Sequence, residues 1–461
     1  MAPHIVFLNY QAAGHVNPTL GLVVELRKRG CFVTYFVAED VKDVVEGAGA
    51  TWRPWRRPGS EETGVASKLD AEGMARYVPE GSPPGSYMSP FGAASWDALV
   101  LMPNLLEDLK SLSPPPSVVI YDPFLVAPLV AAHVLKLPAM AFLSYPGMGV
   151  SAADDKMSEA TWVVGPQKEL LAKYGYDILS KGRPGDWYSQ DGNLVTTIEP
   201  LYHGPKFGYQ SETLCDVPFT CVGALSVASG KRVANASVKD DLKDKWAEVL
   251  GKLDAEKAAG KKVVYVSMGT VGSRTDMWNR KFGVKGMANG LADATGKEAI
   301  QHCFRCCLQA LGRLTDSVVV AMALGPHADA LEGLPPVPPN FVVAPAMPQL
   351  EVLERTDAFV THGGANSVHE GLDAGVPLIV VPLFGDQPLN GDRVASLVAG
   401  VCFRDPLKAL TPEALEAAVT RALAPGGKLA EGARKLKMQL TESGGASTAA
   451  ETILAVVARH A

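Results

Sequence analysis

Two groups of polar residues in this 461-residue chain have types and spacings suited to chemistry. The first is Thr361-His362-Gly363-Gly364-Ala365-Asn366-Ser367-Val368-His369-Glu370, running on to Phe384-Gly385-Asp386-Gln387. The apolar run Ala358-Phe359-Val360 precedes it, and a helical pattern closing at Gly375-Val376-Pro377 follows. A strand therefore delivers a glycine-rich turn into a helix N-terminus. Unpaired backbone N–H groups and the positive end of the helix dipole gather there, which suits a phosphate or diphosphate. A plain strand–helix corner needs only the glycines. His362, Asn366, Ser367 and, one helical turn beyond Asn366, Glu370 add side chains able to hold a larger ligand.

The second group is Gly14-His15-Val16-Asn17-Pro18 together with Asp122. A histidine titrates near neutral pH, and a carboxylate on its far ring nitrogen fixes the tautomer and stabilises the imidazolium. His15 and Asp122 thus suit a base and its orienter, a device contributing about 10²–10⁴-fold to a rate. Each signal has a plainer reading. Ser367-x-x-Glu370 also fits a capping box, Asp386-Gln387 a charge at a helix start, Asp122-Pro123 a helix-start signal, and His15 an incidental loop residue.

The elements that would position these residues alternate. Ile5 to Tyr10 is a buried-strand pattern, Gln11 to Val16 a loop, Asn17-Pro18 an N-cap with proline at the first helical position, and Cys31 to Val37 the next strand. Further strands are expected at Ser117–Tyr121, Leu137–Leu143 and Leu194–Ile198. A second series is expected at Lys262–Ser267, Ser317–Ala323, Phe341–Ala344, Ala358–Thr361 and Leu378–Val381. Alternation of this kind predicts α/β architecture with parallel, doubly wound sheets, which place ligands beyond the carboxyl ends of their strands. The chain divides into an N-terminal domain over 1–230, a linker over 231–260 with a helix near Leu242–Leu253, a C-terminal domain over 261–440, and a last helix over 441–461 that packs back on the first domain. Gly272 to Lys297 is a long polar loop, a length usually associated with function or mobility.

Composition narrows the class. A net charge of −6 gives no electrostatic case for nucleic acid or an anionic membrane. Met1-Ala2-Pro3-His4-Ile5 lacks a charged n-region, so no signal peptide and a cytoplasmic protein are expected. The apolar stretch Ser117–Leu143 is broken by Asp122, Pro123, Pro128, His133, Lys136 and Pro138, against the roughly 20 apolar residues a span needs. Seven cysteines suggest reduced thiols. Cys303-x-x-Cys306-Cys307 has no second ligand pair, and its helical spacing with Phe304, Leu308 and Leu311 favours buried structural thiols.

The blocks Pro348-Gln349-Leu350-Glu351-Val352-Leu353, Phe359 to Ser367, Glu370, Gly375-Val376-Pro377 and Pro382-Leu383-Phe384-Gly385-Asp386-Gln387-Pro388-Leu389-Asn390 resemble the donor-binding signature of UDP-glycosyltransferase family 1, the macrolide and natural-product enzymes in particular. Gly14 to Pro18 and Val264 to Thr270 resemble it as well. The resemblance implies a GT-B fold, two Rossmann-like domains facing across a cleft. It also implies inverting hexose transfer, most simply glucose from UDP-glucose to a hydroxyl of a small lipophilic acceptor, with no metal and no cofactor beyond the nucleotide sugar. By position, His362, Gly364, Asn366 and Ser367 would hold the diphosphate and Glu370 the ribose. Asp386 and Gln387 would take the sugar, Ser267 and Thr270 the phosphate side, Met347 and Gln349 the nucleoside, and His15 with Asp122 would activate the acceptor.

The chemistry agrees: displacement at the anomeric carbon needs a deprotonated nucleophile on one face and a stabilised diphosphate on the other. The chain contains no Asp-x-Asp, the usual metal–nucleotide signature of the other large glycosyltransferase fold. One position departs from the pattern. Ala346 stands where the family commonly has a tryptophan stacked on uracil, leaving UDP and dTDP donors both open. Loops around Tyr87–Phe91 and Tyr145–Met148 suit an apolar acceptor site. Two other readings remain. Trp52-Arg53-Pro54-Trp55-Arg56-Arg57 could serve a lipid glycosyltransferase at a membrane surface, and the chain could bind nucleotide sugars without transfer. Neither sheet start carries the Gly-x-Gly-x-x-Gly of a dinucleotide dehydrogenase.

Overall fold

The structure, a computed structural model, describes residues 2–59, 90–145, 161–178, 188–202, 217–225, 241–269, 275–282 and 290–461. Seven parallel strands form the first sheet: β1 His4–Leu8, β2 Phe32–Phe36, β3 Thr51–Arg53, β4 Val118–Tyr121, β5 Ala139–Leu143, β6 Asn193–Val195 and β7 Phe219–Cys221. Six parallel strands form the second: β8 Lys262–Ser267, β9 Val318–Ala323, β10 Phe341–Ala344, β11 Ala358–Thr361, β12 Leu378–Val380 and β13 Gly400–Cys402. Helices cover both faces, so the central strands are buried end to end and consist of near-continuous Val, Ile, Leu and Phe.

The spatial orders are β3-β2-β1-β4-β5-β6-β7 and β10-β9-β8-β11-β12-β13. Each sheet therefore has one point where the chain reverses its direction of winding, between β1 and β4 in the first and between β8 and β11 in the second. Crevices at such switch points are where open parallel sheets bind ligands. Leu8 is in register with Tyr121, and Ser267 with Thr361. The residues that follow those four positions thus converge in pairs.

Several sequence expectations are adjusted. The first helix runs from Ala13 to Lys28, so His15 sits in its first turn rather than in a loop, and Asn17 is not its N-cap. The Ala12 carbonyl accepts the N–H groups of His15 (2.8 Å) and Val16 (3.0 Å), which starts the helix ahead of the expected Asn17 cap. Pro18 then lies inside the helix, where its missing N–H leaves the Gly14 carbonyl without a helical partner. Asp122-Pro123 starts no helix; the next helix begins at Ala127. Strand β6 stops at Val195, short of the expected Ile198.

The linker helix spans Asp241–Ala258, longer than expected, and the terminal helix Gly445–Arg459 buries Ala449, Ala450, Ile453 and Val456 against the first sheet's core. Part of the long polar loop is ordered by packing. Trp278 is 2% exposed, stacks on His327 with centroids 4.2 Å apart, and donates to Asp329 at 3.1 Å. Residues 270–274 and 283–289 of that region, Thr270 among them, lie outside the described residues. Cys303, Cys306 and Cys307 are buried free thiols, and burial pushes the Cys306 thiol up to about 12.

Much of the Trp52–Arg57 stretch is packed or paired, with Trp52 half-buried and Arg53 exposed. Trp55 is 1% exposed, Trp52 donates to the Val37 carbonyl, Arg56 pairs with Glu107 and Asp108, and Arg57 pairs with Asp97. Among the described residues no helix is long and apolar enough to cross a membrane.

Candidate active site

On the second sheet, β11 ends at Thr361 and the chain turns through His362, Gly363 and Gly364 into the helix Ala365–Asp373. Gly364 is the N-cap and makes no side-chain cap; the Ala365 N–H donates to the Asp386 carboxylate, and the next N–H groups of the first turn have no acceptor within the helix. Ser367 and Glu370 therefore do not form a capping box. The His362 ring lies between two glycine backbones: a Cβ on Gly269 or on Gly364 would come within 2.4 Å of it. Gly269 also has φ +73°, a left-handed conformation other residues resist. Burial lowers the His362 pKa to about 4, against a hydrogen bond to the Ser267 backbone, so the ring is neutral at pH 7. Ser267 and His362, from neighbouring strand ends, are thus joined directly.

Glu370 is 9% exposed, and its carboxylate accepts from the Gln349 amide at 2.6 Å. The same amide lies 3.4 Å from the Ser367 hydroxyl. Met347 instead buries its side chain in the core below. After β12, the Gln387 side-chain oxygen Oε1 accepts the N–H groups of Leu383 (2.8 Å) and Phe384 (3.1 Å), which closes the turn. Asp386 is the N-cap of the helix Gln387–Ser396 but makes no side-chain cap. Its carboxylate accepts from Asn390 Nδ2 at 2.8 Å, and the same Asn390 amide donates to the Gly363 carbonyl at 2.9 Å. Asn390 therefore ties the Asp386 corner to the glycine turn. Asn390 stands in the block that resembles the family signature, and its i+4 spacing from Asp386 is the local signal of the contact.

On the first sheet, His15 Nδ1 donates to Asp122 Oδ2 at 2.5 Å, with Asp122 1% and His15 16% exposed. The other Asp122 oxygen accepts the Phe124 N–H at 2.9 Å. Tyr10, Phe124 and Tyr145 surround the imidazole, with centroids 5.3, 4.8 and 6.4 Å away. Only Tyr145 of these three belongs to the loops expected to meet an acceptor; residues 87–89 and 146–148 lie outside the described residues.

The two halves meet. Asn366 Nδ2 donates to the Gly14 carbonyl at 3.2 Å, the very carbonyl that Pro18 leaves without a helical donor. His369 Nδ1 donates to Ala365 O and its Nε2 accepts from the Thr197 hydroxyl, both at 2.6 Å. Burial lowers the His369 pKa to about 4, in keeping with that neutral bridging role. Arg393 reaches the Pro200 carbonyl. Burial raises the Asp386 carboxyl above its usual range, opposed by hydrogen bonds from Asn390 and the Ala365 backbone and by the field of His15. The His15–Asp122 pair of one sheet thus faces the glycine turn and carboxylate corner of the other.

Residues 329–426 match the family described as UDP-glucoronosyl and UDP-glucosyl transferase. The chain is 26% identical over 467 residues to the uncharacterised UDP-glucosyltransferase YojK of Bacillus subtilis (strain 168), covering 98% of this chain and 97% of that protein. It is 24% identical to the demethyllactenocin mycarosyltransferase of Streptomyces fradiae, covering 98% and 86% respectively. The chain is a glycosyltransferase with the GT-B fold. The crystal structure of the glycotransferase of kitacinnamycin shares this glycosyltransferase's fold with a TM-score of 0.70 over 99% of both chains at 23% identity. The enzyme uses a nucleotide sugar.

Proposed function

We propose that this glycosyltransferase moves glucose from UDP-glucose to a hydroxyl of a small lipophilic acceptor, with inversion and without a metal or further cofactor, in the cytoplasm. The observation that carries the reading is the His15–Asp122 pair, 2.5 Å apart, opposed to the glycine turn across the cleft. With Nδ1–H given to Asp122, His15 Nε2 is the free base that takes the acceptor proton. Its aromatic surround of Tyr10, Phe124 and Tyr145 supports an apolar acceptor. The oxygen attacks the anomeric carbon from this side, and the diphosphate leaves toward the other.

On the leaving side, the N–H groups of the turn and the dipole of the helix Ala365–Asp373 stabilise the diphosphate charge. His362, Gly364, Asn366 and Ser367 line that turn, Ser267 backs it, and Thr270 is proposed beside it from sequence alone. Glu370, oriented by Gln349, takes the ribose hydroxyls, with the Met347 backbone beside the base. Asp386 and the Gln387 amide take the sugar. The reading is tested by supplying UDP-, dTDP- and GDP-glucose with a panel of lipophilic phenols and alcohols. Mass spectrometry follows products and NMR the anomeric configuration. Turnover with UDP-glucose to a β-glucoside is expected; equal inactivity with UDP- and dTDP-glucose refutes it.

A further inference from the structure

We propose that Trp246, from the linker helix, supplies the aromatic face on which the donor's nucleobase stacks. This rests on the nucleotide-sugar reading of the site and specifies its base-binding end. The helix Asp241–Ala258 leads directly into β8, so it descends one face of the sheet before the strand climbs back. Its early turns are therefore level with the carboxyl ends of the strands, the edge that carries the ligand. Trp246 lies there. Val249 and Leu253, three and seven residues on, are buried against the sheet and dock the helix. Trp246 extends the same stripe to the rim, where it is half-buried.

Its indole is pinned in place: Nε1–H donates to the Ala346 carbonyl at 3.1 Å, in the loop that leaves β10. Three residues further on, Gln349 holds the Glu370 carboxylate at 2.6 Å, and the helix bearing Glu370 starts at the glycine turn. Indole, Gln349–Glu370 pair and turn thus follow one another in the order base, ribose, diphosphate. Residue 346 itself is alanine and offers no ring. The indole's only polar atom is engaged by that alanine's carbonyl, and the half-buried ring leaves part of its apolar surface exposed beside it. Stacking tolerates any base, so this platform accommodates uracil or thymine alike and leaves discrimination to edge contacts.

The test compares Trp246→Leu and Trp246→Phe with the wild-type chain by calorimetric titration of UDP, dTDP and inorganic pyrophosphate. Loss of a stacked aromatic is expected to weaken UDP and dTDP binding in W246L roughly 5- to 150-fold. Pyrophosphate binding should stay within twofold, and W246F should recover most of the nucleotide affinity. The KM for UDP-glucose should rise by a similar factor while kcat changes little. UDP affinity in W246L within twofold of wild type overturns the proposal, as does an equal loss for UDP and pyrophosphate, which marks a structural role. Wild-type protein that binds pyrophosphate but neither nucleotide overturns the nucleotide-sugar reading as well, and that result is read before any variant is made.

Discussion

Replacing Asp122 with asparagine tests the base assignment through the structure's own hydrogen bonds. The carboxylate has two fixed partners, the Phe124 N–H at 2.9 Å on Oδ1 and His15 Nδ1 at 2.5 Å on Oδ2. An asparagine must keep its oxygen toward the Phe124 N–H, because that backbone donor would otherwise face an amide donor. Its NH₂ then points at His15 Nδ1. That nitrogen becomes an acceptor, so the ring proton moves to Nε2, the atom proposed to take the proton of the acceptor hydroxyl. To act as a base, the ring must break the new bond, at about 1–3 kcal/mol for leaving a buried group unsatisfied. It also forms its imidazolium without a buried counter-charge.

Together these predict a fall in kcat of about 10²–10⁴-fold, or ~3–5.5 kcal/mol in the barrier. The substitution leaves no uncompensated buried charge, and Asp122 belongs to the sheet opposite the glycine turn, so UDP affinity should stay within about twofold, on the order of 0.4 kcal/mol. The assay is UDP release from UDP-glucose with a lipophilic alcohol and with an acidic phenol, alongside calorimetric titration of UDP. The phenol, partly ionised before it binds, should lose less than the alcohol. A kcat within threefold of wild type for the alcohol would refute the reasoning, and so would equal losses for both acceptors.

Three further outcomes follow from the geometry. Asn390→Ala strips a donor from both Asp386 and the Gly363 carbonyl. It should raise KM for UDP-glucose by roughly tenfold or more while UDP alone, lacking the sugar, binds nearly as before; an equal loss for both ligands in titration counts against the Asp386 role. Gly364→Ala places a Cβ within 2.4 Å of His362 Nε2, so it should weaken pyrophosphate binding, measured by calorimetry, without unfolding the sheet, and unchanged affinity would contradict the cradle.

The third outcome concerns pH. His362 and His369 have folded-state pKa values lowered to about 4 by burial, so between pH 6.5 and about 4 the unfolded chain binds protons the folded one refuses. Their contribution to stability is complete above pH 6.5 and declines as pH falls, by about 1.4 kcal/mol per pH unit for each histidine within that window. Thermal melts should show His369→Gln with a shallower acid-side decline than wild type, and parallel curves would refute the assignment.

Strand periodicity and turn chemistry established the α/β class and most strand positions, because a strand buried on both faces must be apolar throughout and glycine turns mark where it ends. The same local rules located the glycine turn, His15 and Asp122. They misplaced the start of the first helix, since the N–H that Pro18 lacks is compensated by Asn366 from the other sheet, a partner 352 residues away in sequence. For the same reason the pairings of His369 with Thr197 and of Trp246 with Ala346 were not legible: neither side of either contact carries a local signal.

The Trp52–Arg57 patch shows the converse. In a compact run of cations and aromatics, the Trp55 ring is buried and the Arg56 and Arg57 guanidiniums are paired once Asp97, Glu107 and Asp108 arrive from a distant helix. The chain by itself determined which residues are able to bind a diphosphate and accept a proton, because those capacities belong to side-chain types and to the turn that presents them. Only the tertiary structure decided that the His15–Asp122 pair faces the glycine turn. That relation depends on the winding order of two sheets and on bonds across the cleft, which no short-range pattern encodes.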